Sequence, residues 1–265
     1  MDRSSIQRIV TANFFVGLTL LVVTPTTAQF SQNEMLCSNL VPSQPDERVA
    51  ACTAVIEAGG DAIKLARAHC SRGAALMERG DKNRAIADYD ESARLDPNSH
   101  LCRGFGNYAR NAFDAAIVDF NKAITLNPRS PEAFLSGGLA YRAKGDLDRA
   151  IADYDEVIRL APGNVLAFNN RGVALLQKQN YSRAIQDFDN AIQLEPSYSA
   201  AFVNRGNAFS YQSDLDRAIK DYTEAIRLDP KNAAAYQARG LTYRAMGDVV
   251  RARADFDQAR TLAGR

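Results

Sequence analysis

The chain has 265 residues, 46% of them hydrophobic and 24% charged. Those proportions are ordinary for a folded protein and exclude wholesale disorder. Its 32 basic residues nearly cancel its 31 acidic ones, leaving a net charge of +1. No global field exists to attract nucleic acid or an anionic membrane surface.

Residues 1–28 differ from the rest. Arg3 and Arg8 precede an uncharged run, "TANFFVGLTLLVV", and the small residues Thr26 and Ala28 follow it. A charged start, a short apolar core and a small-residue exit are the parts of a secretory signal peptide, with cleavage expected after Ala28. The run is short for a bilayer span, which needs ~20 residues; an uncleaved anchor is the rival reading. Export, to a periplasm or outside the cell, would bring the four cysteines into an oxidising compartment. Four cysteines allow three complete pairings, and sequence alone does not choose among them.

Residues 29–65 are expected to form an N-terminal arm and a degenerate cap. Pro42 and Pro45 mark a loop, and Asp46 is placed to cap a helix reaching about Ala58, with Val49, Cys52, Val55 and Ile56 on one face. Cys37 and Cys52 flank that loop and are expected to pair, tying an extended arm to the cap.

From residue 66 onward one phrase recurs: "AIADY" at 85–89, "AIVDF" at 116–120, "AIADY" at 150–154, "AIQDF" at 184–188, "AIKDY" at 218–222 and a worn "ARADF" at 252–256. A glycine precedes each phrase (Gly73, Gly104, Gly138, Gly172, Gly206, Gly240), at successive gaps of 31, 34, 34, 34 and 34 residues. A proline closes every copy but the last: Pro97, Pro128, Pro162, Pro196, Pro230. In "RAIQDFDNAIQLEP" the apolar residues Ala184, Ile185, Phe188, Ala191 and Ile192 form one helical stripe. Pro196 cannot continue that helix. A second apolar segment stands before it, and Gly-Asp pairs (Gly80-Asp81, Gly145-Asp146, Gly247-Asp248) separate the two. Glycine tolerates the left-handed conformation that ends a helix, and aspartate caps the next one. The unit is therefore helix, tight turn, helix, proline turn. Gly172 and Ala184 are placed to let the helices cross closely, with the aromatic four residues later filling the gap toward the neighbouring copy. A unit of ~34 residues cannot bury its apolar face alone, so copies must stack.

With glycine and alanine at the crossing, the large aromatic, the closing proline and the 34-residue period, residues 66–265 resemble the tetratricopeptide repeat family. The resemblance implies an all-α, right-handed α-solenoid of stacked helix-turn-helix units, with copies near 66–96, 97–130, 131–164, 165–198, 199–232 and 233–265. It also implies a protein–protein interaction module and not an enzyme. The aromatic position of the first helix holds His69, His100, Phe134, Phe168, Phe202 and Tyr236. An arginine stands before the glycine at Arg72, Arg103, Arg171, Arg205 and Arg239. The repeated Asp88, Asp119, Asp153, Asp187, Asp221 and Asp255 suggest an Arg–Asp link between stacked helices, since no acid–base partner of another type recurs beside them.

The second copy is three residues short, between Pro97 and Gly104. His69-Cys70 and His100 with Cys102 gather around it. Three readings stand: a Cys70–Cys102 disulfide with histidines in the aromatic's packing role, unpaired buried thiols, or a zinc site. Adjacent His and Cys on a helix, and export, favour the disulfide.

In the family the first helices line the concave surface. By register its inward residues in copies three to six are Leu135, Leu139, Arg142, Asn169, Val173, Leu176, Asn204, Asn207, Tyr211, Gln237, Leu241 and Arg244. Amides donate to and accept from a peptide backbone, and apolar neighbours make side-chain pockets, a mixture suited to a protein or peptide segment. The lysine-based carboxylate clamp of one family subtype is missing: its places hold Cys70, Ala74, Leu135 and Val203. No phosphate loop or nucleophile elbow appears, and no cofactor, metal or nucleic-acid partner is expected. At the end of the chain Phe256, Ala259 and Leu262 are expected to leave an apolar stripe uncovered, an invitation to self-association. The expected function is an exported scaffold or adaptor binding a partner segment in its groove; the alternative is an envelope-assembly component that associates through the solenoid ends, with no groove ligand.

Overall fold

In the computed structural model, which describes residues 31–264, fourteen helices and no strands are found among the described residues. The expected signal segment, residues 1–28, lies outside them. α1 (Gln32–Cys37) and α2 (Pro45–Ala58) come first, followed by six antiparallel pairs. The pairs are α3 (Ala62–Glu78) with α4 (Lys82–Leu95), α5 (His100–Ala109) with α6 (Phe113–Leu126), and α7 (Pro131–Ala143) with α8 (Leu147–Leu160). They continue as α9 (Val165–Gln177) with α10 (Tyr181–Leu194), α11 (Ser199–Tyr211) with α12 (Leu215–Leu228), and α13 (Ala233–Ala245) with α14 (Val249–Ala263). Each helix packs on its chain neighbours. The first helices of successive pairs from α5 to α13 also touch one another, whereas the second helices do not approach as closely. The first helices therefore lie on the shorter, inner side of an α-solenoid.

The glycine–aromatic pair sets how closely each pair crosses. A Cβ on Gly172 would stand 2.6 Å from Phe188 Cε1, and the other five repeat glycines meet their own copy's aromatic at 2.5–2.8 Å in the same way. Alanine at these places would drive a methyl group into a close-packed ring. The ring thus sits over its own copy's glycine, which corrects the expectation that it mainly fills the space toward the next copy; Tyr89 also reaches that neighbour, its ring 5.7 Å from Phe105.

Each turn inside a pair needs one residue with positive φ. Gly80, Gly145 and Gly247 supply it at φ of 81°, 82° and 83°. Asn111, Gln179 and Ser213 supply it in the remaining copies at 61–64°, where the sequence shows no glycine. Asp81, Asp146 and Asp248 then cap the second helix through the backbone N–H of Arg84, Arg149 and Arg251. The three residues missing from copy two shorten α5 to 10 residues.

The N-terminal region departs from expectation in two ways. The cap of α2 is Gln44, whose backbone N–H donates to Glu47 Oε2 at 3.0 Å, and Pro45 opens the helix, where its missing N–H costs nothing. Asp46 lies inside the first turn. The arm is not extended: Ser31 caps α1 with a reciprocal Glu34 bond, and α1 packs on α2 as a short first helix. Cys37 and Cys52 are disulfide-bonded at a Cα separation of 4.7 Å, joining α1 to α2. Six residues are too few to show a helical period, and the covalent tie holds what periodicity does not announce.

Candidate functional site

Two polar systems run along the solenoid. The first is a ladder of Arg–Asp pairs, each reaching from a first helix to the second helix of the same copy. Arg72 donates through Nε and Nη2 to the two oxygens of Asp88, at 2.8 Å each. Arg171 meets Asp187 at 2.9 and 2.6 Å, Arg205 meets Asp221 at 2.8 and 2.7 Å, and Arg239 meets Asp255 at 2.8 Å twice. Arg103 holds Asp119 from one side and Asn107 donates to it from the other at 2.9 Å. Two N–H bonds to one carboxylate fix both orientation and charge. The hydrogen bond to the aspartate, against a burial that opposes it, raises the pKa of each of these arginines above its ordinary value. Several reach further, to the second helix of the preceding copy: Arg72 to Thr53, Arg171 to Asp155, Arg205 to Asp189 and Arg239 to Thr223. In the last three copies the guanidinium also lies 5.5–5.7 Å from the centre of the first helix's aromatic ring, at Phe168, Phe202 and Tyr236.

The third copy breaks the pattern. Its arginine position is Gly137, so Asp153 lacks the partner guanidinium that its five counterparts have. Asp153 Oδ2 is shut off from solvent and has no hydrogen-bond partner; it rests where a Cβ on Gly137 would stand 2.6 Å away. Burial pushes this carboxyl up to about 7, with Arg149 opposing the shift. Arg142 Nε and Tyr154 Oη, in the same copy, are also buried without a partner.

The second system is the first-helix face. Asn204 Nδ2 donates to Asn169 Oδ1 at 2.9 Å across two copies, and Tyr222 Oη donates to Asn207 Oδ1 at 2.8 Å. Asn169 is only 7% exposed, so the structure turns one expected groove amide inward as an inter-copy tie. Asn207, Tyr211 and Leu241 come together around a concavity of about 240 Å³ with Ser210, Ala238 and Thr242. Tyr211 stacks on Tyr181 at 5.5 Å and stays largely exposed. Leu135, Leu139, Val173, Leu176 and Asn204 are half-buried along α7, α9 and α11, and Gln237 is exposed on α13. Arg142 is half-buried, while Arg244 is exposed and lies over the Phe256 ring at 5.7 Å.

A larger concavity, about 520 Å³, lies at the opposite end, lined by Arg48, Arg67, Glu78, Leu101 and Phe105 around the Cys70–Cys102 disulfide. Sequence reading confined to copies three to six missed it. Its signal was the same register: Ala74 and Phe105 stand next to Gly73 and Gly104 as Asn207 and Leu241 stand next to Gly206 and Gly240. Cys70 and Cys102 are bonded at a Cα separation of 5.7 Å and join copies one and two. The histidines beside them serve the ion pairs: His69 Nδ1 is 2.8 Å from Asp88 Oδ1, and His100 Nδ1 is 2.9 Å from Arg103 Nη2.

At the C-terminal end the expected apolar stripe is only partly uncovered. Phe256 is half-buried beneath Gly240, Ala259 is buried and Leu262 is half-buried. More exposed than these are Val249 and Val250, at 68% and 82% exposure, on the first turn of α14. No described helix is long and apolar enough to cross a membrane.

Stacked helix pairs with an inner face of mixed amides and apolar side chains define a helical-repeat module. Sequence models of the tetratricopeptide repeat match residues 66–99, 107–165 and 135–199, and one described as TPR repeat matches 206–247. Together they cover more than half of the chain, which belongs to the tetratricopeptide repeat family. No curated protein matches it in sequence. Among solved structures, MamA is similar at 26% identity over 61% of this chain and 94% of that one, with a TM-score of 0.55. A tetratricopeptide repeat protein from Parabacteroides merdae aligns over 82% of this chain and 86% of its own at 18% identity and TM-score 0.62. YrrB, a TPR protein with an unusual peptide-binding site, aligns over 66% and 91% at 19% identity and TM-score 0.51.

Proposed function

We propose that the chain is an exported, non-catalytic scaffold that holds a segment of a partner protein along its first-helix face. The observation that carries this reading is the concavity where Asn207, Tyr211 and Leu241 converge, an aromatic and an aliphatic side chain beside an amide on a rigid helical frame. Exposed tyrosine supplies contact area at little entropic cost, and the half-buried leucines along α7 and α9 extend the apolar track. YrrB, which has this fold, has a peptide-binding site; its likeness to this chain extends to the fold. Export is supported by the residue pattern of 1–28 and by the pairing of all four cysteines.

The test is capture of partners from an envelope extract by the chain and by a Tyr211→Ala, Leu241→Ala variant. These two residues are exposed and hold no internal hydrogen bond, unlike Asn169, Asn204 and Asn207. Groove binding predicts a partner retained by the first and lost by the second. The alternative reading, association through the ends, rests on the exposed Val249 and Val250. It predicts a partner, or a second copy in sedimentation, that survives the groove variant and is lost with Val249→Ser, Val250→Ser.

A further inference from the structure

The chain contains its own template for recognising a guanidinium. Three parts recur: a carboxylate on the copy's second helix, an aromatic ring three residues before the arginine on the first helix, and a polar side chain on the preceding copy's second helix. In copy five these are Asp221, Phe202 and Asp189, closed around Arg205. Copy three keeps all three parts. Asp153 holds the carboxylate place, Phe134 the aromatic place and Asn121 the place on α6. Only the arginine is replaced, by Gly137.

Among the described residues no guanidinium takes its place. Arg149, one turn before Asp153 on α8, is already engaged: its Nε donates to Asp146 Oδ2 at 2.6 Å, and its guanidinium lies 4.5 Å from the centre of the Tyr141 ring. Asp153 Oδ2 is left buried without a donor, folded back over the glycine. Glycine is what makes that retreat possible, since any Cβ there would collide with the oxygen. Phe134 is half-buried, and Asn121 is exposed with its Nδ2 donating to the Tyr141 hydroxyl at 3.0 Å, a bond that a guanidinium at Asn121 Oδ1 leaves in place.

We propose that Asp153, Phe134 and Asn121 form an arginine-accepting site, into which a partner protein inserts one arginine side chain. On binding, the Asp153 carboxylate swings out from Gly137 and accepts two N–H bonds from the guanidinium, as its five counterparts do from their own arginines. Lysine fits poorly, because a single ammonium lacks the planar fork that meets both carboxylate oxygens. The site shares no residue with the first-helix groove, so it stands or falls independently of the groove reading.

The experiment is an NMR titration of the purified full chain with N-acetyl-arginine amide, which presents the residue as a polypeptide does. Saturable shifts are expected at the amides of Gly137 and Asp153, with a Kd on the order of millimolar for so small a ligand. N-acetyl-lysine amide is expected to bind several-fold more weakly, and the neutral citrulline analogue not to saturate. Asp153→Asn should weaken arginine binding about tenfold, and Gly137→Arg should abolish it by supplying the guanidinium from within. Should the latter fail to fold, Asp153→Asn alone decides. No saturable shift in the parent chain, or equal binding by the Asp153→Asn variant, overturns the site. Free L-arginine serves as the second arm; a marked preference for it over the amide overturns a polypeptide source.

Discussion

Replacing Arg205 with methionine tests the ladder where it is most complete. Methionine keeps an apolar stem against Phe202 and Phe209 but removes the two donors to Asp221, at 2.8 and 2.7 Å, and the one to Asp189. Asp221 is 6% exposed, so its carboxylate is left buried and unpaired. Removing one partner of a buried pair costs roughly 3–5 kcal/mol. The Arg205 side chain keeps 20% of its exposure, so water reaches the vacated place and the expected loss is about 2–3 kcal/mol. The outer contact to Asp189 is half exposed and adds no more than about 0.5 kcal/mol. Repeat arrays strain the two-state assumption, so hydrogen exchange of α11 and α12 amides reports the loss better than a global midpoint. Asp221→Asn in the same background should recover most of it, giving a coupling of about 2 kcal/mol in the double-mutant cycle. A coupling below about 0.5 kcal/mol would refute the view that these pairs act as inter-helix ties.

Asp153 should make copy three lose stability as pH rises. Its folded-state pKa of about 7 exceeds the ordinary value of about 3.9, so the fold prefers the neutral acid. The cost is absent near pH 4, grows toward pH 7 and is complete above it. After allowance for a carboxyl that is partly exposed it amounts to about 1–3 kcal/mol, seen as faster exchange of α7 and α8 amides at pH 8 than at pH 5 after correction for intrinsic rates, and absent in Asp153→Asn. Gly172→Ala should destabilise by about 1–3 kcal/mol in denaturant unfolding, because the collision with Phe188 outweighs alanine's helix preference of about 1 kcal/mol. Gly145→Ala, with open space around it but a φ of 82°, should cost only about 1 kcal/mol by the same measurement. Cys70→Ser with Cys102→Ser opens a loop closed across 32 residues and should cost about 3–4 kcal/mol, measured as lost protection in α3 to α5.

What the sequence made legible was whatever repeated. Six copies of a glycine, an aromatic and a terminating proline specify helix pairs more firmly than any single window does, and the Arg–Asp spacing of 16 residues returned often enough to be read as a tie. Features that occur once were harder to read. α1 is shorter than two turns, and its disulfide carries what periodicity lacks. Turns through Gln179 and Ser213 look like ordinary polar loops, because helices on both sides impose a positive φ those residues do not favour, whereas Asn111 is a residue that tolerates it. Asn169 reads as an outward amide until the next copy's Asn204 is set against it at 2.9 Å. The most exposed apolar surface of α14 lies at Val249 and Val250 on its first turn, because the stripe of Phe256, Ala259 and Leu262 packs largely toward α13, which covers Ala259 and half-covers the other two.

The uneven ladder also has a mechanical meaning. Copies one and two are joined covalently through Cys70 and Cys102, and the joints from copy three onward are each pinned by an arginine reaching back to the preceding copy. Between copies two and three, among the described residues, the polar links are Asn121 with Tyr141 and a surface Lys144–Asp114 pair, beside a buried apolar cluster that includes Ile117, Phe120, Ala140 and Tyr141. Contacts run almost wholly between neighbours, so a load applied along the superhelix passes through every joint in series. At the joint between copies two and three the arginine pin lapses at Gly137, and the load passes instead through the apolar cluster of Ala116, Ile117, Phe120, Ala140 and Tyr141.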